Sequence, residues 1–162
     1  MSVEEHRERD LVERIALVFE SAGLAPIACR ILGRLLTCHP AEQSSTELAD
    51  WLGASKGSIS TQTQVLVRAG FVRRSRRSGS RAVWYALQPN LWSDMFAMEI
   101  VRIDQMLVLG EEACKLKRSV GQPVDDRLTD FIGFCRFFQE RMPALLAEWH
   151  EVQAASRRAE EA

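Results

Sequence analysis

Apolar residues recur along this chain at helical spacing, then briefly at alternate positions, then at helical spacing again. Leu11, Ile15, Val18 and Ala22, widened by Val12 and Phe19, predict a first helix. Ser2 and Glu5 have capping-box spacing at its start, and Gly23 ends it. Pro26 suits the first turn of a second helix, where its missing N–H costs nothing. That helix carries Ile27, Ile31, Leu32, Leu35 and Leu36 and stops near His39-Pro40; Gly33 within it predicts a close approach by another helix. Ser44 and Glu47 repeat the capping-box spacing and open a short helix that Gly53 closes. Ser55 is then the N-cap of a helix over about 56–69, ended by Gly70. Two short helices joined by a tight glycine turn make a helix-turn-helix.

The period now changes. Residues 71–76 and 82–87 are rich in β-branched and aromatic side chains, and Arg77-Ser78-Gly79-Ser80-Arg81 between them is a turn signal. A β-hairpin in this place is a wing. Pro89-Asn90 breaks the chain, and a long helix over about 92–118 follows, with Phe96, Ile100, Ile103, Leu107 and Cys114 on one side. Beyond Gly121-Gln122-Pro123, a final helix carries Leu128, Phe131, Cys135, Phe138, Met142, Leu145, Trp149 and Val152 in alternating steps of three and four, the spacing of a coiled-coil seam. Pro143 removes one backbone hydrogen bond and predicts a kink; the tail after Ala154 is expected to fray. Two long helices beside one small domain have few partners within a chain, so a homodimer is expected, with Leu11, Ile15, Leu128, Phe138, Leu145 and Trp149 at its interface. The predicted fold is mainly α: a winged helix-turn-helix domain with a two-stranded β-hairpin wing at 24–90, and a helical dimerisation domain formed by 1–23 and 91–162.

Charge gives the pattern a direction. Lys56, Arg68, Arg73, Arg74, Arg76, Arg77 and Arg81 fall within 55–90, which contains no Asp or Glu, although the whole chain has a formal net charge of −1. Such placement suggests a polyanion, DNA, meeting one face. The composition, 46% hydrophobic and 27% charged, supports a buried core and a soluble chain. No apolar run approaches the ~18 residues of a membrane span, and Met-Ser-Val-Glu-Glu-His-Arg does not read as a signal peptide, so a cytoplasmic protein with no membrane partner is expected. Cys29, Cys38, Cys114 and Cys135 form no C-x-x-C pair and read as free, buried thiols. His6, His39 and His150 are scattered, and no catalytic or metal-ligand spacing occurs; no enzyme activity, metal or cofactor is expected.

On a helical wheel of 56–69, Ile59, Leu66 and the Thr63 methyl point to the core. Gly57, Thr61, Gln64 and Arg68 point away, flanked by Lys56, Ser58 and Ser60. Small outward residues permit close approach to base edges. Gln pairs with adenine, Arg with guanine, and a Thr methyl meets thymine. A merely solvated helix favours Glu, Lys and Ala, which this face does not use. In the hairpin, strand alternation puts Arg74 and Arg76 on one face and Arg73 and Arg77 on the other, with Arg81 past the tip and placed for a minor groove. The candidate DNA-binding set is Lys56, Gly57, Ser58, Ser60, Thr61, Gln64, Arg68, Arg74, Arg76, Arg77 and Arg81.

Ile27 to Leu36, Gln43 to Ala49, Leu52 to Thr61 and Arg68 to Val72 together resemble the winged helix-turn-helix of the MarR superfamily, especially its GbsR-like branch. The resemblance covers 24–90 in order and spacing. It implies a homodimeric transcriptional regulator whose recognition helices enter successive major grooves of a pseudo-palindromic operator in double-stranded DNA. Two positions depart from the family pattern: Gly79-Ser80-Arg81-Ala82 stands where Gly-Asp-Arg-Arg is common, and Cys29 where Gly is frequent. The resemblance also implies a small-molecule effector between the winged domain and the dimerisation helices. Trp92, Met95, Phe96, Phe131 and Phe134 are the candidate lining, suited to a lipophilic, aromatic or choline-type cationic compound, although an aromatic stripe at helical spacing is more often plain core packing. The expected function is a repressor released by such a ligand. The rivals are a winged-helix module that binds protein and an architectural DNA binder that ignores sequence.

Overall fold

A computed structural model of the chain describes residues 3–21, 23–77, 79 and 82–160. Six helices and a small sheet follow in the order α1 (Val3–Glu20), α2 (Pro26–Thr37), β1 (Gln43–Ser44), α3 (Ser45–Leu52), α4 (Lys56–Arg68), β2 (Val72–Arg76), β3 (Val83–Leu87), α5 (Leu91–Ser119) and α6 (Asp126–Glu160). They form two compact units, Met1–Leu91 and Trp92–Ala162.

In the first unit, local signals set the boundaries. Ser44 and Glu47 close a full capping box on α3: the Glu47 N–H donates to Ser44 Oγ at 3.2 Å, and the Ser44 N–H donates to a Glu47 carboxylate oxygen at 2.6 Å. Gly53 ends α3 at φ +62, a left-handed conformation that a side chain resists. Ser55 then caps α4, its Oγ accepting from the Ser58 N–H at 3.1 Å. The two helices of the motif are thereby held three residues apart, with both caps made.

The core lies between α2, α3, α4 and the sheet. Ile31, Leu32, Leu48, Ile59, Leu66 and Val72 are fully buried, each stabilising the fold by about 1.5–3 kcal/mol relative to exposure. α1 packs on α2 within this unit, at Gly33: a Cβ there would lie 3.1 Å from the Val12 carbonyl oxygen. The expected close approach is present. The α1 stripe is turned from the expected one, however. Val12 and Ala16 are buried, whereas Leu11 and Val18 are exposed. The helix has two apolar edges, and the one facing Gly33 wins in a single chain. Ser2 and Ala22, expected in the cap and stripe, lie outside the described residues.

Arg9 and Arg34 flank the Trp51 ring, 4.6 and 4.4 Å from its centroid, so α1, α2 and α3 share one cation–π stack. Arg34 also pairs with Glu8, and Arg9 donates to the Trp51 carbonyl. Cys29 is fully buried and donates weakly to the Leu24 carbonyl; burial pushes the Cys29 and Cys38 thiols up, away from a reactive thiolate. All four cysteines are buried and free.

The sheet has three strands where two were expected. β1 adds to the far side of β3 with Gln43 opposite Tyr85 and Ser44 opposite Trp84, giving the order β1-β3-β2, all antiparallel. A two-residue strand has no periodicity of its own; its partner defines it.

In the second unit, α5 and α6 meet at Gly110, where a Cβ would lie 2.9 Å from Ile132 Cγ1 and 3.0 Å from Phe131 Cε1. Leu107, Cys114, Cys135 and Met142 are buried along the helix pair. The α6 seam divides accordingly: it is buried at Cys135 and Met142 and exposed at Leu145, Trp149 and Val152. Asp125, unremarked in the sequence, is the N-cap of α6, accepting from the Leu128 N–H at 3.2 Å. α6 runs through Pro143 as one helix and reaches Glu160 rather than fraying after Ala154; Ala, Arg and Glu dominate that last stretch and propagate a helix well. Among the described residues, no helix is long and apolar enough to cross a membrane.

Candidate nucleic-acid interface

The rotation of α4 is fixed by its core face. Ile59, Thr63 and Leu66 are buried, and the Thr63 hydroxyl is satisfied by the Ile59 carbonyl at 2.8 Å. This leaves Lys56, Gly57, Ser60, Thr61, Gln64 and Arg68 exposed, with Ser58 half-buried at the cap, as the helical wheel predicts. α4 has no acidic residue in its first turn and begins with Lys56. A cation there opposes the helix dipole, so this arrangement costs stability and is of use to an anionic partner.

The hairpin folds beside this helix and completes a groove of about 580 Å³ lined by Ser45, Lys56, Ser60, Gln64, Val67, Arg68, Arg74, Val83 and Tyr85. Register explains the lining. Arg74 stands opposite Tyr85, and Arg76 opposite Val83, so the arginines of this strand face share the side of Val83 and Tyr85. Three cations, two small hydroxyls and one carboxamide thus face one concavity with no carboxylate in its lining.

The remaining wing cations are placed differently. Arg73 and Arg77 lie on the other side of β2, as strand alternation requires, and both pair with Glu42: Arg73 Nη2 at 3.2 Å and Arg77 Nη2 at 3.4 Å. Arg77 also covers the Trp84 ring at 3.6 Å from its centroid. Arg77, expected among the DNA-binding residues, is therefore not brought to the α4 groove. Nothing local in the sequence marks Glu42, which lies 35 residues from Arg77. The block of 55–90 lacks acids in sequence but not in space. Arg81 lies outside the described residues.

The expected effector lining is also divided. Trp92 and Phe96 line an apolar groove of about 380 Å³ with Ser93, Leu145, Leu146 and Trp149. Phe131 packs at Gly110, and the Phe134 ring stacks on Phe138 at 4.6 Å. Gly110 is about 21 Å along α5 from Phe96 at 1.5 Å per residue, so the five residues do not form one pocket within a chain. Met95 is half-buried. Among the described residues, no His, Cys, Asp and Glu cluster suits a metal ion.

A family model described as "MmpR5-like MarR family transcriptional regulator" matches residues 90–153, which is most of α5 and α6. The chain is 39% identical over 118 residues to the HTH-type transcriptional regulator MmpR5 of Mycobacterium tuberculosis (strain ATCC 25618 / H37Rv), covering 73% of this chain and 70% of that protein. It is 32% identical to a protein of known structure described as a transcriptional regulator, with a TM-score of 0.63 over 90% of this chain and 99% of the other. The matching model is MmpR5-like, and it lends no support to the GbsR-like branch.

Proposed function

Because the chain belongs to the MarR family of transcriptional regulators, we propose that it binds a pseudo-palindromic operator as a homodimer and represses transcription until a small ligand releases it. The relatives are regulators and not enzymes. The observation that carries the reading is the groove of α4 and the wing, which gathers Lys56, Ser60, Gln64, Arg68 and Arg74 around one acid-free concavity. α4 enters a major groove, where Gln64 meets base edges and Lys56, Ser60 and Arg68 meet phosphates. Arg74 and Arg76 hold the backbone beside it.

Dimerisation accounts for apolar surface that one chain leaves bare. Leu11, Leu145 and Trp149 are exposed, as are Val101, Val108 and Leu109 of α5. The groove of Trp92, Phe96, Leu145, Leu146 and Trp149 suits an apolar effector. Occupancy there shifts the population toward dimers whose recognition helices no longer match the half-site spacing.

The test is selection of bound fragments from genomic DNA, followed by a gel shift at ~100 mM salt with excess competitor. A regulator keeps one fragment at ~10³-fold or greater preference over random DNA. Preference within ~10-fold identifies an architectural binder instead. No binding identifies a protein-interaction module.

A further inference from the structure

We propose that Glu42 is an internal counterion that withholds Arg73 and Arg77 from DNA, keeping the attractive surface on the α4 side and thereby limiting the affinity for DNA of any sequence. This rests on the DNA-binding reading above.

Glu42 divides its carboxylate between the two arginines: Oε1 forms an ion pair with Arg73 Nη2 at 3.2 Å, and Oε2 accepts from Arg77 Nη2 at 3.4 Å. The carboxylate is held in place by the fold. Glu42 directly precedes β1, whose two residues pair with Tyr85 and Trp84 of β3, so it is fixed against the base of the wing. Arg77 is held from a second side by the Trp84 ring, 3.6 Å away. Glu42 is 24% exposed and its two partners about half exposed. The guanidinium groups are therefore accessible to a phosphate, and the carboxylate is the group that competes for them.

The geometry of a wing makes this competition matter. A hairpin in a minor groove has a phosphate strand on each side, so arginines on both faces of β2 are within reach of DNA. Phosphate contacts add affinity for every sequence equally. Two further free arginines per protomer raise random binding as much as operator binding, so they add affinity without adding selectivity. The pair with Glu42 is worth little to stability at this exposure; its consequence is for sequence-independent affinity.

The test measures full-length wild type and Glu42→Gln by fluorescence anisotropy. The probes are a fragment recovered from the genomic selection and a random duplex of equal length. Glu42→Gln is expected to bind random DNA roughly tenfold or more tighter at ~0.1 M salt, with a log–log salt slope steeper by about 0.9–1.8 per protomer. Operator affinity rises by the same factor, so the ratio of operator to random affinity stays at the wild-type value. Adding Arg73→Gln and Arg77→Gln to that variant restores the wild-type slope, and Glu42→Asp retains it. A Glu42→Gln protein with wild-type slope and wild-type random affinity overturns the proposal. So does one that melts lower and binds both probes more weakly at unchanged slope, since Glu42 is then only structural. A wild-type protein that binds neither probe overturns the DNA-binding reading itself.

Discussion

Replacing Arg74 by Gln tests the electrostatic footprint most directly. Lys56, Arg68 and Arg74 line the groove, and Arg76 shares the strand face of Arg74. Four phosphate contacts per protomer give a slope of log affinity against log salt near −3.6, or about −7 for a dimer, at ~0.9 per phosphate. Between 50 and 200 mM salt the wild type then loses about 10⁴ in affinity. Arg74→Gln removes one contact per protomer, so the dimer slope falls in magnitude by about 1.8 and the loss over the same range shrinks to about 10³. Arg77→Gln is the internal control: its guanidinium is already engaged by Glu42 and Trp84, so the slope stays at the wild-type value. Gln64→Ala separates reading from holding, changing preference at one base position by ~1–3 kcal/mol without altering the slope. Anisotropy titrations at five or so salt concentrations give all four slopes. An Arg74→Gln protein with the wild-type slope, or equal changes from Arg74→Gln and Arg77→Gln, refutes the assignment of faces.

Three further outcomes are expected. Trp51→Ala removes the stack of Arg9 and Arg34, and two cation–π contacts at about 0.5–1 kcal/mol each, plus lost packing, put the cost near 2 kcal/mol in urea unfolding; a loss below ~0.5 kcal/mol contradicts the stack. Gly110→Val forces side-chain atoms onto Ile132 and Phe131 and destabilises by about 1–3 kcal/mol through overpacking, while Gly110→Ala, aided by up to ~1 kcal/mol of helix propensity, loses less; a valine variant that melts at the wild-type temperature shows the helices separate freely. Asp125 has its carboxyl held down to about 2 by the Arg127 hydrogen bond first and the Leu128 N–H second. A depressed carboxyl stabilises the fold above its ordinary value near 3.8 and loses that contribution as pH falls toward 2, so the helical circular dichroism of the wild type declines across this window, whereas Asp125→Asn keeps a capping oxygen and shows no such step.

What was legible in the sequence was local. Ser44 with Glu47, Gly53, Ser55 and Gly70 each act on backbone groups within four residues, so their spacing sufficed to place α3, α4 and the turn between them. The core face of α4 followed from Ile59, Thr63 and Leu66 for the same reason. What was hidden depends on partners distant in sequence. Glu42 reaches Arg77 only because β1 pairs with β3, and β1 is too short to announce itself. Val12 displaces Leu11 as the buried residue of α1 because Gly33 of another helix admits it. Phe131 leaves Phe96 because Gly110 sets where α5 and α6 touch. The family match falls on 90–153, where the sequence offered only a heptad pattern.

The second unit carries the argument for a partner copy further than its apolar count does. Two helices that meet closely at Gly110 gain little from propensity alone, because most helical stability in proteins comes from packing an apolar face. α5 presents a shallow groove lined by Val101, Asp104, Gln105, Val108 and Leu109. Within it Asp104 Oδ1 is buried and has no hydrogen-bond partner among the described residues. A buried acceptor left unmade costs about 1–3 kcal/mol. We propose that a second copy laid along this face covers these valines, because apolar side chains left bare along a long helix gain stability from a partner face.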